Sequence, residues 1–89
     1  MTRKARGATP KPPAHPGKAL REAIKATGLT QSDFAARVLY SYQYVNDVCN
    51  GRRDVSTSLA VAIEKFPGFP KAEVWLTMQM HYDLWRLRG

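Results

Sequence analysis

Residues 29–53, Leu-Thr-Gln-Ser-Asp-Phe-Ala-Ala-Arg-Val-Leu-Tyr-Ser-Tyr-Gln-Tyr-Val-Asn-Asp-Val-Cys-Asn-Gly-Arg-Arg, leave this chain few ways to fold. Thr30 and Ser41 are helix-capping residue types, each placed directly before a short helical pattern. Asp33, three residues after Thr30, supplies the acidic half of a capping box. Phe34, Ala35 and Val38 form an inward face for the first segment, and Val45 and Val48 form one for the second. Asn50-Gly51 is a left-handed stop. The stretch therefore predicts two short capped helices joined by a tight turn, the second with a polar outer face and a basic exit at Arg52-Arg53.

The flanks supply the rest of an all-α, compact five-helix domain spanning 15–89. Leu20, Ala23 and Ile24 predict a helix over 16–27, with Pro16 suited to its first turn and Gly28 to its stop. Lys18, Arg21, Glu22 and Lys25 take its outer face. Ser56 caps a helix over about 57–66 that buries Leu59, Ala60, Ile63 and Phe66. Pro67-Gly68-Phe69-Pro70 breaks it. The last helix, about 71–87, has two apolar stripes: Val74, Trp75, Met78, Tyr82 and Trp85, and Leu76, Met80, Leu84 and Leu87. A small monomer has core enough for one of them. Val74, Met78, Met80, Tyr82, Leu84, Trp85 and Leu87 are therefore expected at a dimer or partner interface. No strand pattern, internal repeat or glycine-rich phosphate loop is found.

Charge narrows the partners. Fourteen Lys and Arg against seven Asp and Glu give +7, which attracts nucleic acid or an acidic protein. Residues 1–17 hold Arg3, Lys4, Arg6 and Lys11, no acid and four prolines. Their first 14 residues are expected to be a disordered basic arm, acting on phosphates or as a solubilising tail. No segment approaches the roughly 20 apolar residues that cross a bilayer, and the N-terminus lacks the apolar core of a secretory signal. Cys49 is alone, so no internal disulfide is possible and a cytoplasmic setting is expected. His15 and His81 belong to no acid–base, nucleophilic or metal-ligand set, so neither an enzyme nor a cofactor or metal site is expected.

A helix-turn-helix places the start of its second helix against base edges in the DNA major groove. With Val45 and Val48 inward, Gln43, Asp47 and Asn50 lie opposite, Asn46 alongside, and Tyr42 and Tyr44 on the flanks. Tyr42, Gln43, Tyr44, Asn46 and Asp47 are the candidate base readers. Gln43 leads them, because its amide can bond adenine N6 and N7 together. Asp47 would accept from cytosine N4, pair with a nearby Arg or deter unwanted sequences. Gln31, Ser41, Asn50, Arg52 and Arg53 are the candidate contacts to the DNA backbone.

Leu29-Thr30-Gln31, Phe34-Ala35, Ser41, Val45 and Asn50-Gly51-Arg52-Arg53 resemble the Xre, lambda-repressor-like helix-turn-helix pattern. His15-Pro16-Gly17 ahead, and Val74-Trp75-Leu76, Gln79 and Tyr82-Asp83-Leu84-Trp85 behind, are similar to the markers of HigA-type antitoxins. The resemblance covers about residues 15–86. It implies a homodimer that binds an inverted repeat in double-stranded operator DNA and represses its own operon. It also implies neutralisation of a small RelE-like ribonuclease toxin. The family's contact positions fall on Gln31, Ser41, Tyr42, Gln43, Tyr44, Asp47 and Asn50. A phage- or plasmid-type repressor without a toxin, and a pure protein-interaction domain, are the alternatives. Three features depart from the pattern: a basic first helix, one extra residue in Pro67-Gly68-Phe69-Pro70, and Leu39 where a glycine is usual. Leucine with positive φ is strained, so the turn is expected to be rebuilt or lengthened.

Overall fold

The computed structural model describes residues 13–89, which form α1 (Pro16–Thr27), α2 (Gln31–Val38), α3 (Tyr42–Cys49), α4 (Thr57–Glu64) and α5 (Ala72–Arg88). The expected arm, apart from its last two residues, lies outside the described residues. No strand occurs among the described residues, and no helix there is long and apolar enough to cross a membrane.

The caps act as their residue types dictate. The hydroxyl of Thr30 accepts from the Asp33 N–H, that of Ser41 from Tyr44 and that of Ser56 from Leu59. Each satisfies one orphan donor of a first turn. α5 has no side-chain cap of its own. Instead Glu64, the last residue of α4, accepts from the Ala72 N–H at 2.7 Å, placing a carboxylate at the positive end of the longest helix.

His15-Pro16-Gly17 is a three-part joint. His15 Nδ1 caps α1 by accepting from the Gly17 N–H at 2.9 Å, and Pro16 fills the first helical position. The capping bond leaves the ring proton on Nε2, which donates to Asp54 at 3.3 Å. Gly17 lets α1 meet α3: a Cβ there would lie 1.8 Å from the Val48 carbonyl oxygen. The His15 ring also packs edge-on against Tyr82 of α5, with centroids 5.0 Å apart. The two flanking motifs, far apart in sequence, thus meet in the fold.

The core collects Leu20, Ile24, Phe34, Ala35, Val38, Val45, Val48, Val55, Leu59, Ala60, Ile63 and Trp75. α1 packs on α3 and α5, α2 on α3, and α4 on α5. Phe66 lies just beyond α4 rather than inside it, half-buried with Phe69 against Phe34. The Pro67-Gly68 turn thereby folds an aromatic lid over α2. Trp75 is buried, and its indole N–H donates to the Pro70 carbonyl at 3.2 Å, so its polar atom enters the core satisfied.

One expectation is corrected. The α2–α3 turn is neither rebuilt nor lengthened: Leu39 itself takes φ 64°, ψ 37°. The N–H of Leu39 donates to Ala36 and that of Tyr40 to Ala35, closing the helix as glycine would. The side chain is 90% exposed, so the leucine meets no packing conflict and costs only its left-handed backbone, about 1–2 kcal/mol. Of the two apolar stripes expected on α5, neither turns inward whole. Ala72, Trp75 and Gln79 are buried, whereas Val74 is exposed. Gln79 is the one buried polar side chain among the described residues. Its Oε1 accepts from the Val55 N–H at 2.8 Å and its Nε2 donates to Asp83 at 3.0 Å. A helix with apolar residues all round it thus buries a polar one because the entry to α4 needs an acceptor.

Candidate nucleic-acid interface

α3 presents its first turn to solvent. Tyr42 and Gln43 are exposed, with Ser41 at the cap and Gln31 half-buried beside them at the start of α2. Behind that turn the polar residues expected on the outer face join one network. Asn46 donates to Gln31 Oε1 at 2.9 Å, and Asn50 donates to Asn46 at 3.1 Å. Arg21 of α1 donates to Asn50. Gln43 donates to Asp47 Oδ1 at 2.9 Å, and Arg52 reaches the same oxygen through Nε at 3.3 Å and Nη2 at 3.2 Å. Gln31, Gln43, Asn46, Asp47, Asn50 and Arg52 are therefore brought together by contacts spanning α1, α2, α3 and the loop after it.

Tyr44 and Arg53 stand apart. The Tyr44 ring is half-buried against Tyr40, centroids 4.9 Å apart, and the Arg53 guanidinium sits 4.5 Å from its centre. Tyr44 packs toward α2 while Tyr42 is the free ring. Neither Arg52 nor Arg53 hangs loose: one is paired with a carboxylate and the other lies on an aromatic face. Asp47 is the awkward charge on this surface, and Arg52 offsets it. An ion pair this open contributes about 0.2–1 kcal/mol to stability, so its consequence is orientation.

Arg21 and Tyr40 belong to the site although sequence reasoning did not place them there. Arg21 reads as part of a solvated helix face, and only the packing of α1 on α3 shows what it reaches. Cys49, beneath the network, is buried, and burial pushes its thiol pKa up while the nearby Arg21 charge pulls the other way. No group of three or more metal-ligating side chains occurs among the described residues.

The exposed apolar residues of α5 form the second candidate surface. Val74 and Trp85 are exposed on one flank of the helix and Met80 and Leu87 on the other, Leu87 at 80%. Met78, Tyr82 and Leu84 are half-buried, so the expected interface set divides between exposed and half-buried positions. Tyr82 is committed to His15, with the Arg86 guanidinium 5.5 Å from its ring centre.

A helix-turn-helix family model matches residues 20–74. Virulence-associated protein I of Dichelobacter nodosus is 32% identical over 74 residues, 82% of this chain. The chain spans 68% of the length of that protein and 64% of the virulence-associated protein A′ of the same organism. Among solved structures, an addiction module antidote protein of the HigA family from Coxiella burnetii superposes with a TM-score of 0.77 at 27% identity. It covers 85% of this chain and 83% of that one. The antitoxin HigA of Pseudomonas aeruginosa, solved with the higBA promoter, gives 0.78 at 26% identity, over 84% of this chain and 82% of its own. With the family match extending from α1 into α5, and the antidote folds superposing over nearly all the described helices, this chain belongs to the Xre-type helix-turn-helix family, in its HigA-type antitoxin group.

Proposed function

We propose that the protein is a sequence-specific DNA-binding antitoxin that represses its own toxin–antitoxin operon in the cytoplasm. The observation that carries this reading is the open first turn of α3. Tyr42 and Gln43 project from it, Gln31 and Ser41 stand at its margin, and Arg52 and Arg53 follow its end. In the proposed complex Tyr42 and Gln43 meet base edges, while Tyr44, Asn46 and Asp47 shape the reading face. Gln31, Ser41, Asn50, Arg52 and Arg53 lie toward the phosphates. Operator- and promoter-bound neighbours of the same fold, both from Pseudomonas aeruginosa, support the reading.

The exposed apolar residues of α5 serve as the homodimer contact. Two α3 helices then meet an inverted repeat whose half-sites lie about 34–36 Å apart. The partner to be neutralised is a small RelE-like ribonuclease. Binding of the upstream region and of a random duplex, measured across a salt series, tests the DNA half. Specific binding weakens log-linearly with salt, and equal affinity for both duplexes at low salt refutes it.

A second reading, a stand-alone repressor without a toxin, is favoured by one observation. Lys18, Arg21 and Lys25 give α1 an exposed basic face with no acid in its first turn, which repels a basic ribonuclease. Co-purification with the product of an adjacent reading frame separates the two. The absence of such a frame leaves the repressor alone.

A further inference from the structure

The carboxylate of Asp47 sits in the centre of the polar face of α3, where an uncompensated negative charge would repel phosphate. One of its oxygens takes three hydrogen bonds: from Gln43 Nε2 at 2.9 Å, Arg52 Nε at 3.3 Å and Arg52 Nη2 at 3.2 Å. Arg52 holds that oxygen through two donors, which fixes the carboxylate in direction as well as cancelling its charge. A glutamine amide free to turn over can offer either its oxygen or its nitrogen to a given base atom. An ionised carboxylate only accepts, so beside Asp47 the amide has one orientation, nitrogen inward and oxygen outward.

We infer that Asp47, held by Arg52, is a positioning residue that locks the Gln43 amide for adenine. The locked amide keeps Oε1 and its second N–H free. That acceptor–donor pair complements adenine N6–H and N7, and does not match guanine, whose O6 and N7 both accept. Asp47 therefore selects a base without touching it, and Arg52 contributes to sequence choice as well as to phosphate attraction. The inference rests on the proposed entry of α3 into the major groove.

Sites selected from a randomised duplex pool by the full chain give the test. Affinities for the selected site, for that site with each base pair changed, and for random DNA are then measured at one salt concentration. The variants are Gln43→Ala, Asp47→Ala, their double and Arg52→Ala, with thermal melts verifying that each folds. Asp47→Ala is expected to lose about tenfold of the adenine preference at the position that Gln43→Ala erases, while binding random DNA more tightly. Gln43→Ala is then expected to cost less than twofold in the Asp47→Ala background, because the two act as one unit. Arg52→Ala reproduces part of the preference loss in addition to a uniform weakening. Equal strengthening on selected and random DNA by Asp47→Ala, with an undiminished Gln43→Ala effect in the double variant, overturns the inference and leaves Asp47 a repulsive charge only. A native protein that enriches no site from the pool removes the groove-binding reading itself, and the inference with it.

Discussion

Replacing Gly17 by alanine adds a single methyl at the point where α1 touches α3. That methyl would stand 1.8 Å from the Val48 carbonyl oxygen and 2.8 Å from its carbon. Both are backbone atoms inside a helix, so neither can swing away. Restoring ordinary contact requires α1 to retreat on the order of 1.5 Å. The retreat loosens Leu20 and Ile24 from the core, and it pulls on the His15 ring, which caps α1 and reaches Asp54 and Tyr82. Overpacking of this kind costs about 1–3 kcal/mol, and a weakened cap adds about 1 kcal/mol. Alanine's better helix propensity returns at most about 1 kcal/mol.

The expected net loss is about 2–3 kcal/mol, a fall in melting temperature on the order of 10–20 °C for a domain of this size. Urea denaturation followed by far-ultraviolet circular dichroism measures it. Gly28→Ala is the paired control. Gly28 also needs its glycine, but for φ 80°, and nothing lies within 4 Å of where its Cβ would be. That variant should lose only about 1–2 kcal/mol of stability, to backbone strain. Gly17→Ala within 0.5 kcal/mol of the native protein (about the scatter of a neutral surface change) would refute the close α1–α3 approach.

Three further outcomes follow from local chemistry. Gln79→Ala strips the Val55 N–H of its acceptor in a buried setting and should destabilise by about 1–3 kcal/mol in thermal melts. Leu39→Gly relieves the left-handed backbone but frees the unfolded chain, so differential scanning calorimetry should find it neutral to about 1 kcal/mol more stable. Cys49 is held protonated more strongly in the fold than in the unfolded chain, because burial raises its pKa. Its contribution is therefore intact below the thiol's ordinary pKa and is lost as pH rises through and beyond that value. Cys49→Ala should flatten the alkaline limb of the stability profile relative to the native protein, and an unchanged limb contradicts the assignment.

Much of the fold is legible in the sequence because its helices are bounded by local chemistry. Thr30, Ser41 and Ser56 announce starts that depend only on their neighbours, and Pro16 and Gly28 bracket α1 without reference to the rest of the chain. α5 is harder for a physical reason. Apolar residues lie all round it, so spacing cannot choose between Val74 and Leu76, and the residue that marks its inner face is the polar Gln79. The demand for that glutamine comes from Val55, 24 positions earlier in the chain. At the candidate interface, Gln43 and Tyr42 are legible because the first turn of α3 has one outward direction. Pairing of Asp47 with a nearby Arg is one of three readings the sequence leaves open, and only the contact across the loop after α3 selects it and names Arg52. Tyr44 and Tyr42 look equivalent on a helical wheel, and only Tyr40 and Arg53 distinguish them. At Leu39 the residue type points away from positive φ, but a side chain free in solvent tolerates a backbone that a packed one would refuse.

The same contacts bear on how the two candidate surfaces communicate. The chain leaving α3 passes through Arg52 and Arg53 to Asp54, which accepts from His15 at the start of α1, and to Val55, whose N–H is held by Gln79 of α5. Tyr82, one turn further along α5, packs on the same His15 ring. The exit of α3, the start of α1 and the middle of α5 are thus tied at one place by two hydrogen bonds and an aromatic contact, with no flexible linker between them. On the proposed reading, exposed apolar residues of α5 meet a second copy while α3 enters DNA. The distance between two paired α3 helices is then set by this joint, and a half-site spacing is read as rigidly as the joint is held. On that reading, His-Pro-Gly before the helix-turn-helix, and Gln79 and Tyr82 after it, bear on DNA recognition through position: they fix where the reading helix stands relative to the surface that pairs it.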